Sequence, residues 1–225
     1  MAVEFSRYVD GTAAASSTTA AVDLSACSAG DLALLLISRL ADVNPSSVPA
    51  GWTLAEKFAL YFSSWLYYKV LEEDDIGTVT WTWAASKPTM ATAAAYTGHD
   101  ADTPIEDSVQ GVFAQGDGDT IDCGSLATDQ LLLVAFGACY SNSVLAVNAL
   151  GGWTERRDRW DTGPDRLHLI ADTNGGWGGG ACAPDFTLTA SYASYRDGCL
   201  VAIKAAGGPT PPASTAIMTT NRGIW

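Results

Sequence analysis

The sequence predicts an all-β protein, an antiparallel β-sandwich of jelly-roll type with an internal pseudo-repeat. Three observations lead there. Apolar and polar residues alternate with a period of two, as in Val79-Thr80-Trp81-Thr82-Trp83. Turn signals recur at strand-length intervals, among them Asn44-Pro45-Ser46-Ser47, Asp74-Asp75-Ile76-Gly77, Thr162-Gly163-Pro164-Asp165 and Asn174-Gly175-Gly176. The order of motifs in the first half then recurs in the second.

Each element follows from its residues. Leu32 to Ile37 is a continuous apolar run of strand length, which suits a central strand covered on both faces. Gly51-Trp52-Thr53 marks a turn that opens the next strand. Leu66 to Val70 continues the sheet, and Val79 to Trp83 puts Val79, Trp81 and Trp83 on one face. Ser86 to Ala95 has some helical character, but Pro88 and the repeat match favour a strand. His99 to Ile105 is the crossover between halves. The second half repeats the series: Leu131 to Tyr140, Gly152-Trp153-Thr154, Leu167 to Ala171, Phe186 to Thr189 and Leu200 to Lys204. Offsets are 98 at the aspartates (129 − 31), 101 at Trp52 and Trp153 (153 − 52), 101 at Leu66 and Leu167 (167 − 66), and 107 at Val79 and Phe186 (186 − 79). A period near a hundred residues is too long for a solenoid, whose repeats run roughly 20–50 residues. It indicates a duplicated half-domain. One β-sandwich domain over 1–206 is expected, with half-repeats of about 20–98 and 118–206. Two tandem small sandwiches are the alternative. Both repeat tryptophans are expected to be core plugs or strand-start anchors, with both side chains largely buried, and Cys27 and Cys123 to sit on equivalent strands.

The composition of 207–225 changes. Gly207-Gly208-Pro209-Thr210-Pro211-Pro212 reads as a Pro-stiffened linker. It leads to a segment carrying Ile217, Met218, Ile224 and Trp225, too apolar for a solubilising tail. We read it as an attachment arm whose four apolar side chains bind a partner.

Net charge is −13, so a broad basic face for nucleic acid is not expected. The basic cluster Arg156-Arg157-Asp158-Arg159 reads as a solvated strand face. Five cysteines without CxxC spacing give neither a disulfide framework nor a zinc site, and buried free thiols are expected. The N-terminal residues carry no secretory pattern. The apolar runs are far shorter than the roughly 20 residues of a membrane-spanning helix. Synthesis in the cytoplasm without membrane insertion is expected.

Taken in order, Gly30-Asp31-Leu32, Pro49-Ala50-Gly51-Trp52-Thr53-Leu54, Leu66-Tyr67-Tyr68-Lys69-Val70, Thr78-Val79-Thr80-Trp81, Ala93-Ala94-Ala95-Tyr96-Thr97-Gly98 and Thr103-Pro104-Ile105 carry a likeness. The pattern resembles a β-sandwich family of accessory structural proteins from tailed bacteriophages and phage-like particles such as gene transfer agents. The closing Met218 to Trp225 also looks like the ends of phage virion proteins. The resemblance implies a head-spike, tail-fibre or other tail component of a virion made in a bacterial cytoplasm. It implies binding to other virion structural proteins, and it transfers no catalytic residue.

Chemistry-bearing residues are few. No GxSxG, HExxH or phosphate-cradling loop occurs. His99-Asp100 reads as a solvated loop pair. Asp117, Asp119 and Asp122 could offer oxygen ligands to calcium, but Thr128 stands where an EF-hand starting at Asp117 would need Glu. Glu72 to Asp75 reads as an acidic hairpin tip. No catalytic residue, cofactor or metal is expected. Trp177, alone in the Gly-rich segment 175–180, is the candidate for an exposed aromatic that stacks on a sugar or plugs into a neighbour. The leading expectation is a non-enzymatic, homo-oligomeric virion protein. The alternative is a carbohydrate-binding module that recognises host surface glycans.

Overall fold

The computed structural model describes residues 2–59, 62–116, 118–130, 132–141, 146–189 and 193–207. The first half supplies β1 (Glu4–Asp23), β2 (Leu32–Arg39), β3 (Thr53–Ala59), β4 (Ser63–Val70), a 3-10 turn (Glu73–Asp75) and β5 (Thr78–Thr97). These strands form one antiparallel sheet in the order β1-β5-β2-β4-β3. The second half supplies β6 (Ile105–Gln110), β7 (Ala114–Gln115), β8 (Thr120–Asp122), β9 (Leu126–Thr128) and β10 (Leu132–Ser141). It continues with β11 (Thr154–Asp161), β12 (Arg166–Asp172), β13 (Gly180–Cys182), β14 (Asp185–Thr187) and β15 (Ala193–Ile203). Here the order is β11-β12-β10-β15-β6, with β7 beside β15, and with β8–β14 and β9–β13 as short separate pairs.

The expected all-β sandwich is present, and Ser86 to Ala95 lies within β5. The wiring is not that of a jelly roll. Residues 4–97 stay in one sheet and the second half builds the other, whereas a jelly roll alternates between its sheets. Each half carries its own central apolar strand, and its neighbours pair with that strand directly.

The two sheets share one core. Leu32, Leu34, Leu36, Leu66 and Ala94 pack against Leu132, Val134, Phe136, Ala138, Ile170 and Val201. Each sheet is also covered on its outer face. Ala33, Leu35, Ile37, Trp65 and Tyr67 lie under Val22, Leu24, Trp52, Trp81 and Trp83. Leu133, Ala135, Cys139 and Leu169 lie under Ile121, Cys123, Leu126, Phe186 and Leu188. Double coverage explains why β2 and the described part of β10 read as unbroken apolar runs. On the first side the cover is the far end of the long β1–β5 ribbon. On the second side that ribbon is replaced by the separate β8–β14 pair.

The strand register shows the repeat. Leu36 pairs with Leu66 and Thr92, and Phe136 pairs with Ile170 and Cys199. β3 and its counterpart β11 carry the same register shift, between Leu54 and Glu56 and between Glu155 and Arg157. Gly51 and Gly152 precede the two tryptophans with φ of 78° and 81°, a backbone that glycine adopts without strain. Val79 pairs with Val22 and Phe186 with Ile121, in keeping with the offset of 107. The units defined by the sheets begin before residues 20 and 118. Phe5 pairs with Tyr96 as Ile105 pairs with Ile203.

Three expectations need correction. The register matches Leu66 with Ile170, not Leu167: Leu66 faces the shared core and Leu167 the outer one. Cys27 and Cys123 are not on equivalent strands. Both lie outside strands, and the place of Cys123 belongs to Leu24, since Leu24 N–H donates to Gly77 O as Cys123 N–H donates to Pro184 O. Trp52 is buried, but Trp153 is only half-buried.

Both open edges of the sandwich are clasped. Between β1 and β11, Arg157 Nη2 meets Asp10 Oδ2 at 2.7 Å. Between β6 and β3, Gln110 Nε2 donates to Lys57 O at 2.7 Å, and Ser108 donates to the Glu56 carboxylate. Asp10 and Gln110 hold matching places beside β5 and β15, and Arg157 and Glu56 follow the same register shift. Equivalent positions therefore grip one another across a pseudo-two-fold axis, as in an isologous dimer fused into one chain.

Candidate functional site

A row of buried polar groups lies between the sheets. Along β12, Arg166, His168 and Asp172 alternate with apolar residues and all three are fully buried. His168 Nε2 lies 2.7 Å from Ser38 Oγ on β2, and its Nδ1 lies 3.0 Å from Thr92 Oγ1 on β5. The spacing resembles a nucleophile and its base, but all three residues have 0% exposure, so a substrate has no approach. Burial and the nearby Arg166 hold His168 well below the usual histidine range. The neutral ring donates through one nitrogen and accepts through the other, and the two hydroxyls take the complementary roles. The cluster braces one sheet against the other.

Two further groups do the same. Ser64 Oγ donates to Asp197 Oδ1 at 3.1 Å, and burial pushes the Asp197 carboxyl up to about 8. Arg166 donates to Pro164 O at 2.6 Å and sits over the rings of Phe62 and Tyr140, and burial lowers its guanidinium to about 10. Toward the other end, Arg156 makes a two-pronged pair with Asp172 at 2.7 and 2.9 Å and reaches Asn174. Tyr96 OH donates to the same Asp172 carboxylate. The sequence reading placed Arg156 on a solvated strand face and gave the other residues no polar role. Part of the signal was present, since Arg166, His168 and Asp172 fall on one face of a strand whose other face is apolar; the partners Ser38 and Thr92 were not.

The surface candidates separate. Arg156, Arg157 and Arg159 are engaged with Asp172, Asp10 and Asp161. His99 is buried, in a bridge to Ala205, and is not the solvated partner of Asp100. Asp100 instead accepts from the Thr103 backbone and meets Lys204. The Glu72–Asp75 tip is tied down by Lys69 to Asp75 at 2.6 Å. Asp122 accepts from Gly124 N–H and Asp119 from Thr120, while Asp117 lies outside the described residues. Among the described residues no group of three His, Cys, Asp or Glu could hold a metal, and no helix is long and apolar enough to cross a membrane. All five cysteines are buried and unpaired. Ile217, Met218, Ile224 and Trp225 lie outside the described residues.

Trp177 gains a neighbour that the sequence did not suggest. It shares an open groove of about 390 Å³ with Trp153, lined also by Leu150, Cys182, Pro184 and Asp185. Trp153 is fixed edge-on to Phe186 at 5.6 Å. Trp177 is half-buried, with its Nε1 turned inward and without a partner. Two indoles beside a carboxylate suit a ligand with an apolar face and hydroxyl donors. No family model, curated protein or solved structure matches this chain.

Proposed function

We propose that the protein is a non-enzymatic structural component of a phage or phage-like particle, a head-spike, fibre or tail component attached through residues 216–225. One observation supports it most: the buried groups of His168, Asp197 and Arg166 brace two sheets that are also clasped at both edges. The product is a stiff block, suited to bearing load and presenting surfaces. The sequence resemblance points the same way. The proposal is tested by deleting residues 216–225 and measuring how much protein is incorporated into particles from a producing strain. Loss of incorporation with an unchanged circular dichroism spectrum is expected. Normal incorporation of the truncated protein would overturn the attachment role.

A second reading, glycan recognition, is favoured by the groove of Trp153 and Trp177. A glycan array probed with the full chain and with Trp177→Ala tests it. Binding that the substitution removes supports the reading, and equal signals from both proteins end it.

A further inference from the structure

We propose that an open trough beside Trp52 is the seat of the chain's own residues 216–225. The seat belongs to the free protein, and the attachment proposed above would require the segment to leave it. It starts from a difference between the two halves. Trp52 and Trp153 occupy equivalent places, and each has a trough on its sheet side. The trough at Trp153 is reduced to about 30 Å³, because the preceding loop packs Val147 and Leu150 into it. Val147 is 9% exposed and bridged to Leu188. The trough at Trp52 remains open at about 430 Å³, lined by Asn44, Pro45, Val48, Leu54, Lys57 and Tyr67. Its loop bridges through Ser47 to Thr82, and the adjoining Val48 is left 39% exposed. Leu54, matched by Glu155 in the other half, is 44% exposed, and Val43 next to Asn44 is 57% exposed. One half seals its trough with its own loop. The other leaves an apolar rim in water, which marks a place where something else binds.

Ile217, Met218, Ile224 and Trp225 are the large apolar residues beyond the described residues at this end of the chain. The chain leaves the sandwich at the end of the first sheet where β3 begins. Ala205 bridges His99, and Ala206 N–H donates to Gly98 O, just past the end of β5. That end of the first sheet holds Tyr96 paired with Leu32, Leu32 paired with Val70, and Tyr68 paired with Thr53 next to Trp52. From β5 to β3 is three strand spacings, about 14 Å. Residues 208–216, stiffened by Pro209, Pro211 and Pro212, reach about 28 Å at roughly 3.1 Å per residue. The tether sets an effective concentration of order millimolar, so at micromolar protein the chain's own segment outcompetes a neighbour's.

The test uses the full chain with benzoylphenylalanine in place of Ile224. On illumination the monomer should carry crosslinks to residues 43–57, at a yield that does not change on dilution. Leu54→Asp, at an exposed position, should lower that yield at least about tenfold while the circular dichroism spectrum stays the same. Crosslinks that appear only in a covalent dimer, crosslinks to the groove of Trp153 and Trp177, or a yield indifferent to Leu54→Asp would each overturn the proposal. Loss of particle incorporation on deletion of 216–225 would leave it standing or falling on these crosslinks alone.

Discussion

Asp197 is one side chain through which pH reaches stability. Its carboxyl is raised from 3.8 to about 8 by burial, so the folded protein holds a proton that the unfolded chain releases from about pH 4 upward. A raised carboxyl favours the folded state fully below the unfolded value. That contribution is lost as pH rises to about 8, and the loss then levels off. Asp197→Asn mimics the protonated acid and still accepts from Ser64. It is expected to stabilise the protein at pH 8 by a few kcal/mol, on the order of the shift itself, and to leave stability near pH 4 unchanged. Melting curves from pH 4 to 9 check this, and parallel profiles for the two proteins would refute it. The thiols give a second expectation at this scale. Burial pushes all five cysteines up from their ordinary value. A disulfide-exchange reagent at pH 8 should react slowly with the native protein and count five thiols after unfolding without reductant. The free, buried state of the cysteines was legible from their odd number and spacing. The His168 cluster was not, because Ser38 and Thr92 stand 130 and 76 residues away in sequence.

Among the elements, the cover of the second sheet depends on two glycines placed opposite each other. Gly137 of β10 pairs with Gly198 of β15. A Cβ on Gly198 would lie 2.7 Å from the Asp122 backbone oxygen and 2.9 Å from Ile121 Cγ2, and one on Gly137 would lie 2.9 Å from the same Ile121 carbon. Their bareness is what lets β8 lie down on the sheet. Gly198→Ala is expected to cost about 1–3 kcal/mol by overpacking, measured by urea unfolding, and a neutral result would mean that β8 is not held there. The tryptophans before β3 and β11 differ in the same way. Trp52→Ala should cost about 3–5 kcal/mol, and Trp153→Ala, at a half-buried position, about 1–3 kcal/mol. At this scale the sequence was informative. Period-two alternation located the strands, and the offset of 107 matched Val79, paired with Val22, to Phe186, paired with Ile121. It misassigned the facing of β12 because the β11–β12 hairpin is three residues longer than β3–β4, which moves the offset from 101 (153 − 52) to 104 (170 − 66). An odd shift turns every side chain of a strand to its other face. The jelly-roll wiring failed for a related reason: alternation fixes which face is buried, not which sheet a strand joins.

At the scale of the whole molecule, the question is whether the two halves can exist apart. Each sheet has its own outer cover, but the inner faces have only each other. Leu34 and Leu36 from one half meet Val134 and Phe136 from the other, and the His168 and Asp197 hydrogen bonds cross the same plane. Separating the halves would expose this apolar layer and strand buried polar groups on both sides, a combination far less favourable than unfolding both together. The described body should therefore unfold in a single transition, with calorimetric and van't Hoff enthalpies that agree. Leu36→Ala removes packing from one half alone. It should lower the stability of the whole by about 2–5 kcal/mol, which for a chain of this length is a drop in melting temperature of roughly 5–15 °C. The transition should remain single as it moves. Two transitions, of which only one responds to Leu36→Ala, would show the halves to be independent domains and the pseudo-two-fold interface to be a contact between them rather than a core.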